Sequence, residues 1–235
     1  MPAIINDVTV VGNGATIAVN NPVTSTRIFY LFSGKHLTLQ NMTLADGKGD
    51  GGAVWSQGSL TVISSTLRNH NHSAIRTVAG SDTLIVDQSS FIDNRGAENG
   101  GAIHTHGVVT ITRSLFLNNQ ATNGGAVFAS SGAVMNIGNS TFSSNSAVNN
   151  GEGAALAVIR DFSNRATVTI VNSTIVENSS FVGSALAGIG GTVNVRNSII
   201  AHNTGSITCF GTSSDGNNLS SDDECGGSNG DIINT

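Results

Sequence analysis

Apolar and polar residues alternate along most of the chain in short stretches that recur at a regular interval. Residues 109–127 show the unit, which runs Val-x-Ile, serine, Phe116, asparagine and then Gly-Gly-Ala-Val. Period-two alternation indicates a strand with one buried face, and a period of about 25 residues falls in the range typical of solenoids. The residues equivalent to Phe116 in the other repeats are Leu44, Leu67, Phe91, Phe142, Ile175 and Ile200.

Seven repeats follow one another between residues 37 and 203, and most of them contain two further recurring elements. A small-small-Ala-aliphatic element, such as Gly125-Ala126-Val127, predicts a second strand in every repeat except the last. Identical residues in register stack at the strand spacing of ~4.8 Å, so a repeated asparagine can satisfy buried turn backbone. We therefore predict an asparagine ladder formed by Asn94, Asn119, Asn145, Asn178 and Asn203.

The fold class that this pattern favours is all-β, a single parallel β-helix. We expect roughly eight coils of about 25 residues each, a length typical of solenoid repeats. Residues 1–36 are predicted to form irregular N-terminal coils, residues 37–203 the seven repeats, and residues 204–235 a C-terminal cap that leaves the pattern. The longer step between Phe142 and Ile175 places an inserted loop at residues 159–166. We expect the chain to be part of a longer, processed protein.

Two cysteines, Cys209 and Cys225, follow the last clean repeat. Their spacing suits a disulfide that pins the cap, and closing such a loop stabilises a fold by about 3 kcal/mol in the chain-entropy model. The alternative is a pair of free thiols. A disulfide would indicate an extracytoplasmic compartment.

The repeat resembles a known family. Phe-x-x-Asn at 91–94, 116–119 and 142–145 alternates with Gly-Gly-Ala-[Ile/Val] at 51–54, 100–103 and 124–127, as in polymorphic outer membrane protein repeats. These belong to the pectin-lyase-like right-handed parallel β-helix superfamily. The resemblance implies a right-handed helix and a secreted or surface-exposed protein, often an adhesin. The same fold also carries polysaccharide lyases and glycoside hydrolases, so it does not by itself determine function.

Composition and charge exclude some classes of partner. The formal net charge is −5 with no cluster of Lys or Arg, which argues against a nucleic-acid partner because phosphate recognition needs a basic surface. A membrane-spanning helix takes roughly 20 consecutive apolar residues, and no apolar run approaches that length, so the sequence predicts no transmembrane helix. The expected location is extracellular or at the cell surface.

One outward column combines planar and cationic side chains. The residues after the Ala-aliphatic element are Trp55, Arg76, His104 and Phe128 in successive repeats, and His106 lies two positions beyond His104. An exposed strip of this kind would stack on sugar rings or anchor a protein partner. The alternative is that similar side chains simply stack on the outside of the coil. The predicted partner is a glycan or a cell-surface receptor.

No residue set indicates catalysis or a metal site. Acidic residues never occupy one column in adjacent repeats, whereas a glycosidase needs a carboxyl pair ~5–9.5 Å apart. The loop from Asp46 to Asp50 lacks the further acids of a Ca²⁺ site, and His70 and His72 indicate a turn that exposes two histidines. We assign no catalytic residues, metal ligands or cofactor.

Two hypotheses about function remain. The first is a secreted or cell-surface module with an adhesin-like binding or structural role and no enzymatic activity. The alternative is a polysaccharide-active enzyme, a lyase or glycoside hydrolase, whose site lies on the strip of Trp55, Arg76, His104 and Phe128 with the 159–166 loop as a wall. A structure that places two carboxylates, or a Ca²⁺ held by several of them, in one groove would count against the first hypothesis and favour the enzyme.

Overall fold

The computed structural model describes residues 2–20, 25–78, 83–159, 165–221, 223–225 and 230–233. In these ranges the chain is a parallel β-solenoid of about eight turns, without an α-helix. Each turn of the solenoid contributes one strand to each of three parallel sheets, which we name A, B and C. The prediction of an all-β parallel β-helix is confirmed.

The strands of the three sheets have the following bounds. Sheet A contains Ala3–Ile4, Phe29–Leu31, Val54–Ser56, Ile75–Thr77, Ile103–Thr105, Val127–Ala129, Leu156–Ile159, Leu186–Ile189 and Cys209–Phe210. Sheet B contains Val8–Val11, His36–Gln40, Ser59–Ile63, Thr83–Asp87, Val108–Thr112, Val134–Gly138, Thr167–Val171, Thr192–Arg196 and Thr212–Gly216. Sheet C contains Thr16–Ala18, Thr43–Ala45, Thr66–Arg68, Ser90–Ile92, Leu115–Leu117, Thr141–Ser143, Thr174–Val176, Ile199–Ala201, Leu219–Ser220 and Ile232–Ile233.

Two smaller elements complete the described secondary structure. Gln120–Ala121 and Ser146–Ala147 pair in parallel within the connections from sheet C to sheet A. Asp223–Cys225 forms a single turn of 3₁₀-helix.

The alternating pattern places one face of every strand in the interior. In sheet B the two apolar residues of each repeat are buried, as with Val109 and Ile111, which pair in register with Leu84 and Val86 of the preceding turn. In sheet C the apolar column contains three stacked phenylalanines. Phe116 lies between Phe91 and Phe142, with ring centroids 4.9 and 4.6 Å away and nearly parallel planes. A slip of one residue would turn these apolar side chains to the outside. Their burial therefore fixes the register of the strands.

In most repeats a serine lies between the sheet B and sheet C strands, and these serines provide hydrogen bonds to the backbone there. The Ser114 amide donates to Ser140 Oγ at 3.2 Å, and the Ser114 hydroxyl donates to the Thr112 carbonyl at 2.7 Å. The same pair of bonds recurs at Ser65, Ser89, Ser140 and Ser173. Each serine thus caps its own strand end and holds the next turn of the solenoid.

The predicted asparagine ladder is present after sheet C. The Asn119 amide donates to Asn145 Oδ1 at 2.9 Å, while Asn119 Nδ2 donates to Asn145 Oδ1 at 3.0 Å and to the Phe91 carbonyl at 3.0 Å. Asn94, Asn145 and Asn178 repeat this arrangement, and Asn203 accepts the last of these bonds. Each of these donating side chains therefore joins three consecutive turns of the solenoid in a fully buried place.

His70 occupies the ladder position that asparagine holds in later repeats. Its Nδ1 accepts from the Gly47 amide at 2.9 Å and its Nε2 lies 3.2 Å from the Leu44 carbonyl, so the neutral ring with the proton on Nε2 reproduces the pattern of an amide. The prediction that this histidine is exposed is wrong, because the side chain is only 1% exposed. Burial lowers the pKa of His70 to about 4.

The turn after each sheet C strand contains a residue with a left-handed backbone conformation. The residue two positions beyond the sheet C anchor has a φ of 54–63° in all seven repeats, at Asp46, Asn69, Asp93, Asn118, Ser144, Glu177 and His202. Asn and Asp tolerate this left-handed region best among non-glycine residues. The scattered acids of this column are therefore explained by turn geometry.

The two ends of the repeat region continue the three sheets. Val8 pairs with Leu37 and Ile17 with Leu44, so the N-terminal residues supply a preceding turn of the solenoid. Residues 209–220, which we expected to leave the pattern, add one strand to each sheet. Cys209 and Cys225 form a disulfide with a Cα–Cα distance of 5.1 Å, which ties the 3₁₀ turn to sheet A. Of the predicted loop at 159–166, residues 160–164 lie outside the described residues.

Replacing an asparagine of the ladder is expected to destabilise the whole solenoid. Asn119→Ala leaves the buried Asn94 backbone amide without its acceptor and removes the bond from Asn119 Nδ2 to the Phe91 carbonyl. We expect a loss of about 2–4 kcal/mol in the free energy of unfolding measured in urea. Asn136→Ala is the control, because Asn136 is exposed on sheet B and its loss should change stability by less than about 0.5 kcal/mol. Equal effects of the two substitutions would contradict the ladder.

The buried His70 is expected to make the fold less stable in acid. The unfolded chain binds a proton on this ring near pH 6.5 and the folded chain only near pH 4. The contribution of His70 to the free energy of unfolding is therefore fully present above pH 6.5. It decreases by about 3 kcal/mol as the pH falls to 4. His70→Asn keeps an amide in the ladder, so urea titrations should show a shallower loss between pH 7 and pH 4. Parallel losses in the two proteins would refute the prediction.

Candidate functional site

The predicted column of planar and cationic residues is in register on the outer face of sheet A. Tyr30 pairs with Trp55, Trp55 with Arg76, Arg76 with His104, and His104 with Phe128. The column then continues with alanines at 157 and 187. Because strands in a sheet are ~4.8 Å apart, consecutive members are direct neighbours.

The column is not the continuous exposed strip that we expected. His104 is 6% exposed and Phe128 is 7% exposed, whereas Trp55 and Arg76 are half-buried. The connections that precede the strands fold back over this face of the sheet. The part of the column that faces solvent is therefore limited to its N-terminal half.

Glycine makes this covering possible. Gly100 has a φ of 65°, and a Cβ at this position would clash with the Ile103 carbonyl oxygen and lie 2.9 Å from the His104 nitrogen. Only glycine combines this conformation with so close an approach. The same position is glycine with a φ of 60–66° in four other repeats, at Gly51, Gly124, Gly153 and Gly183. This explains the first glycine of the Gly-Gly-Ala motif.

Two of the seven repeats lack the glycine, at His72 and Ser206, and the first of these has the shortest connection between sheets C and A. Its connection is residues 69–74, six residues, against eight in 46–53 and ten in 93–102 on either side. His72 stands where the glycine would be, and its backbone is not in the left-handed region. A short connection between two longer ones leaves a gap over the strand Ile75–Thr77.

The gap forms a cavity of about 300 Å³. The short connection and its strand provide one part of the lining, and the two longer connections and the next strand provide the rest. The lining residues are Asp50, His72, Ser73, Arg76, Ala97, Glu98, Asn99 and His104. Two members of the predicted site, Arg76 and His104, therefore meet in one recess.

The charged groups of the cavity are already paired in part. Arg76 Nη1 lies 2.8 Å from Asp50 Oδ2, and both side chains retain partial exposure. Ser73 Oγ donates to the Asn99 carbonyl at 3.0 Å, and Asn123 Nδ2 donates to Asn99 Oδ1 at 3.1 Å. These bonds hold the connection at residues 97–99 against its two neighbours.

His104 presents a neutral ring that is fixed from behind. Its Nε2 lies 3.1 Å from Ser130 Oγ, and its ring contacts those of His106 and Phe128 at centroid distances of 5.1 and 5.0 Å. Burial, reinforced by the nearby Arg76 cation, lowers the pKa of His104 to about 3. The ring is thus uncharged at neutral pH.

His106 supports this arrangement without lining the cavity. Its backbone amide donates to Thr77 Oγ1 at 3.0 Å, and its Nδ1 lies 3.1 Å from the Thr77 carbonyl, which requires the proton on Nδ1. Burial lowers the pKa of His106. The residue is placed to position the His104 ring.

Trp55 lies beside the cavity and is not part of its lining. The Arg27 guanidinium carbon sits 4.3 Å from the centroid of the indole ring, and Tyr30 contacts it edge-on at 5.0 Å. The indole Nε1–H is buried and has no hydrogen-bond partner among the described residues. One face of the indole ring is thus already covered by Arg27.

Asp50, His72 and Glu98 also line the cavity, and they were not predicted from the sequence as members of the site. The available signal was the spacing of the repeat, since the short connection lies within the step from Leu67 to Phe91, which is one of the two shortest steps. Asp50 and Glu98 place two carboxylates in one cavity, which no single column brought together. No group of three or more His, Cys, Asp or Glu residues suited to a metal ion occurs in the described part of the chain.

Comparison with known proteins shows similarity to a repeat family. The family model of the Chlamydia polymorphic membrane protein (Chlamydia_PMP) repeat matches residues 88–106 and 113–130, which include two of the Phe-x-x-Asn and Gly-Gly-Ala elements as well as His104 and Phe128. The resemblance stated from the sequence is confirmed in these repeats. No curated protein and no solved structure matches the chain. The described residues contain no helix that is long and apolar enough to cross a membrane.

The His104 imidazole is expected to stay neutral through mild acid. A proton on this ring would add a buried charge close to Arg76. We expect its ring resonances in a two-dimensional nitrogen NMR titration to remain unchanged between pH 7 and pH 5, whereas the same residue in urea should titrate near pH 6.5. A folded-state midpoint above pH 5.5 would contradict this prediction.

Proposed function

We propose that this chain is an adhesin-like module of a secreted or cell-surface protein, and that it binds a glycan or a cell-surface receptor through the cavity on sheet A. The observation that carries the proposal is the cavity itself. It is a recess on a regular rod, and it brings together Arg76, Asp50 and His104 from three successive turns of the solenoid. Concave sites with a few convergent polar groups are the usual places of ligand binding.

Two further observations support a surface location. The repeats at 88–106 and 113–130 match those of a polymorphic membrane protein family. The Cys209–Cys225 disulfide is of a kind that persists in oxidising compartments outside the cytoplasm. The ladders support a binding role as well, because they hold the connections around the cavity on a rigid frame.

Each residue of the proposed site has a distinct role. Arg76 offers donors to the cavity, and His104 forms part of its wall. Trp55 supplies an aromatic edge next to Arg76, while His106 and Phe128 hold the His104 ring in place. Arginine and aromatic residues in such settings carry much of the energy at binding surfaces.

A second candidate function is a polysaccharide-active enzyme. The observation that favours it is the presence of two carboxylates, Asp50 and Glu98, in the same cavity. Carboxylate pairs perform glycoside hydrolysis when one of them donates a proton and the other acts as base or nucleophile.

A combined assay for binding and cleavage tests both candidates. We expect the wild-type chain to bind immobilised cell-surface glycans or whole cells, without releasing reducing ends from uronan or neutral polysaccharides. Arg76→Gln, which removes the guanidinium cation, should weaken binding at least tenfold, and the Trp55→Ala/His104→Ala double variant should abolish it.

The matched control is Arg113→Gln. Arg113 pairs with Asp87 in the second ion pair of the described residues, away from the cavity, at a left-handed position that another repeat gives to Gln88. Binding by this variant should equal that of the wild type. Turnover that disappears in Asp50→Asn or Glu98→Gln would establish the enzyme instead, and equal binding by all variants would place recognition elsewhere on the rod.

A further inference from the structure

We propose that the cavity accepts a single neutral, hydroxyl-rich sugar residue, such as the terminal hexose of a glycan. This inference rests on the proposed binding function and specifies its ligand class. It draws on the size of the cavity, the balance of its charges and the character of its walls.

The size of the cavity favours one ring over an extended chain. A volume of about 300 Å³ is at the low end for small-molecule sites. The cavity is closed along the rod by longer connections on both sides, residues 46–53 and 93–102. A polysaccharide that lay along the rod would have to cross these connections. A terminal or branching residue can enter from outside.

The charges in and around the cavity nearly cancel. Asp50 and Glu98 contribute two carboxylates, and Arg76 contributes one cation within the lining. Arg27 adds a second cation close by, since its charge interacts with both Asp50 and Arg76. A uronate would meet two carboxylates in a small space, and a cationic sugar would meet Arg76. A neutral ligand avoids both repulsions.

The ion pair also favours hydroxyl groups over charged groups. Asp50 and Arg76 lie 2.8 Å apart, so a charged ligand group that is attracted by one of them is repelled by the other. A hydroxyl both donates and accepts, and it can bond to the outer lone pairs of the carboxylate or the remaining N–H groups of the guanidinium. A ring with several hydroxyls gains these bonds while the ion pair stays intact.

His104 gives the cavity a fixed and neutral part of its wall. Its side chain is 6% exposed, and it is held by Ser130 and by the Phe128 ring, so its position is set before a ligand arrives. Its neutral state, due to burial, adds no charge to the lining. A wall that is fixed in advance loses little conformational freedom on binding.

Saturation-transfer NMR with simple probes tests the inference. The neutral probes are the methyl glycosides of glucose, galactose and mannose, and the charged probes are methyl glucuronate and galacturonate. We expect at least one neutral probe to bind the wild-type chain, with both uronates at least tenfold weaker. The same neutral probe should lose tenfold or more in Arg76→Gln and remain unchanged in Arg113→Gln.

A charge-altered variant provides the decisive comparison. Asp50→Asn/Glu98→Gln keeps the shape of both side chains and leaves the cavity with a net positive charge, so uronate binding should rise at least tenfold relative to neutral probes. Wild-type binding of a uronate as tight as that of the neutral sugars would overturn the inference. If no probe binds while Arg76-dependent adhesion to cells persists, the inference fails and the proposed function stands. If both are absent, both fail.

Discussion

The structure depends on hydrogen bonds that run between equivalent side chains of successive turns of the solenoid. A narrow β-solenoid buries the backbone at its corners, where sheet hydrogen bonds end and water is excluded. Here Asn119 and its equivalents supply a carbonyl and an amide at one corner, and Ser114 and its equivalents supply a hydroxyl at another. Both ladders work only in strict register, so the same interactions that satisfy the corners also prevent slippage.

This constraint acts on the inner positions and leaves the connections free to vary. The connection from sheet C to sheet A ranges from six residues at 69–74 to twelve at 144–155 without breaking the register of the strands. Variation in length is therefore the means by which the surface acquires shape. Where a short connection lies between longer ones, a recess forms, and the polar residues of three turns of the solenoid meet in it. The candidate site follows from an irregularity in an otherwise uniform repeat.

His70 shows how a ladder tolerates substitution. A neutral imidazole carries one acceptor and one donor, as the side-chain amide does, and it fits the same buried place. Histidine and asparagine therefore form equivalent hydrogen bonds at this position. They differ in that histidine can take up a proton, whereas the amide does not titrate. Sequence alone suggested an exposed histidine, since its neighbours form a polar turn. The pairing with Gly47 and Leu44, both in the preceding turn, became visible only when the turns of the solenoid were stacked.

The parallel β-solenoid, the interior columns and the asparagine ladder could all be predicted from the repeat, because strict periodicity forces equivalent residues to be neighbours. The same periodicity placed Trp55, Arg76, His104 and Phe128 in one column. The exposure of each of them, and the presence of Asp50, His72 and Glu98 beside Arg76, required the folded chain. These facts depend on how connections of unequal length fold over the sheet. Repeat periodicity carries no information about that, since the connections are the positions where the repeat is not obeyed.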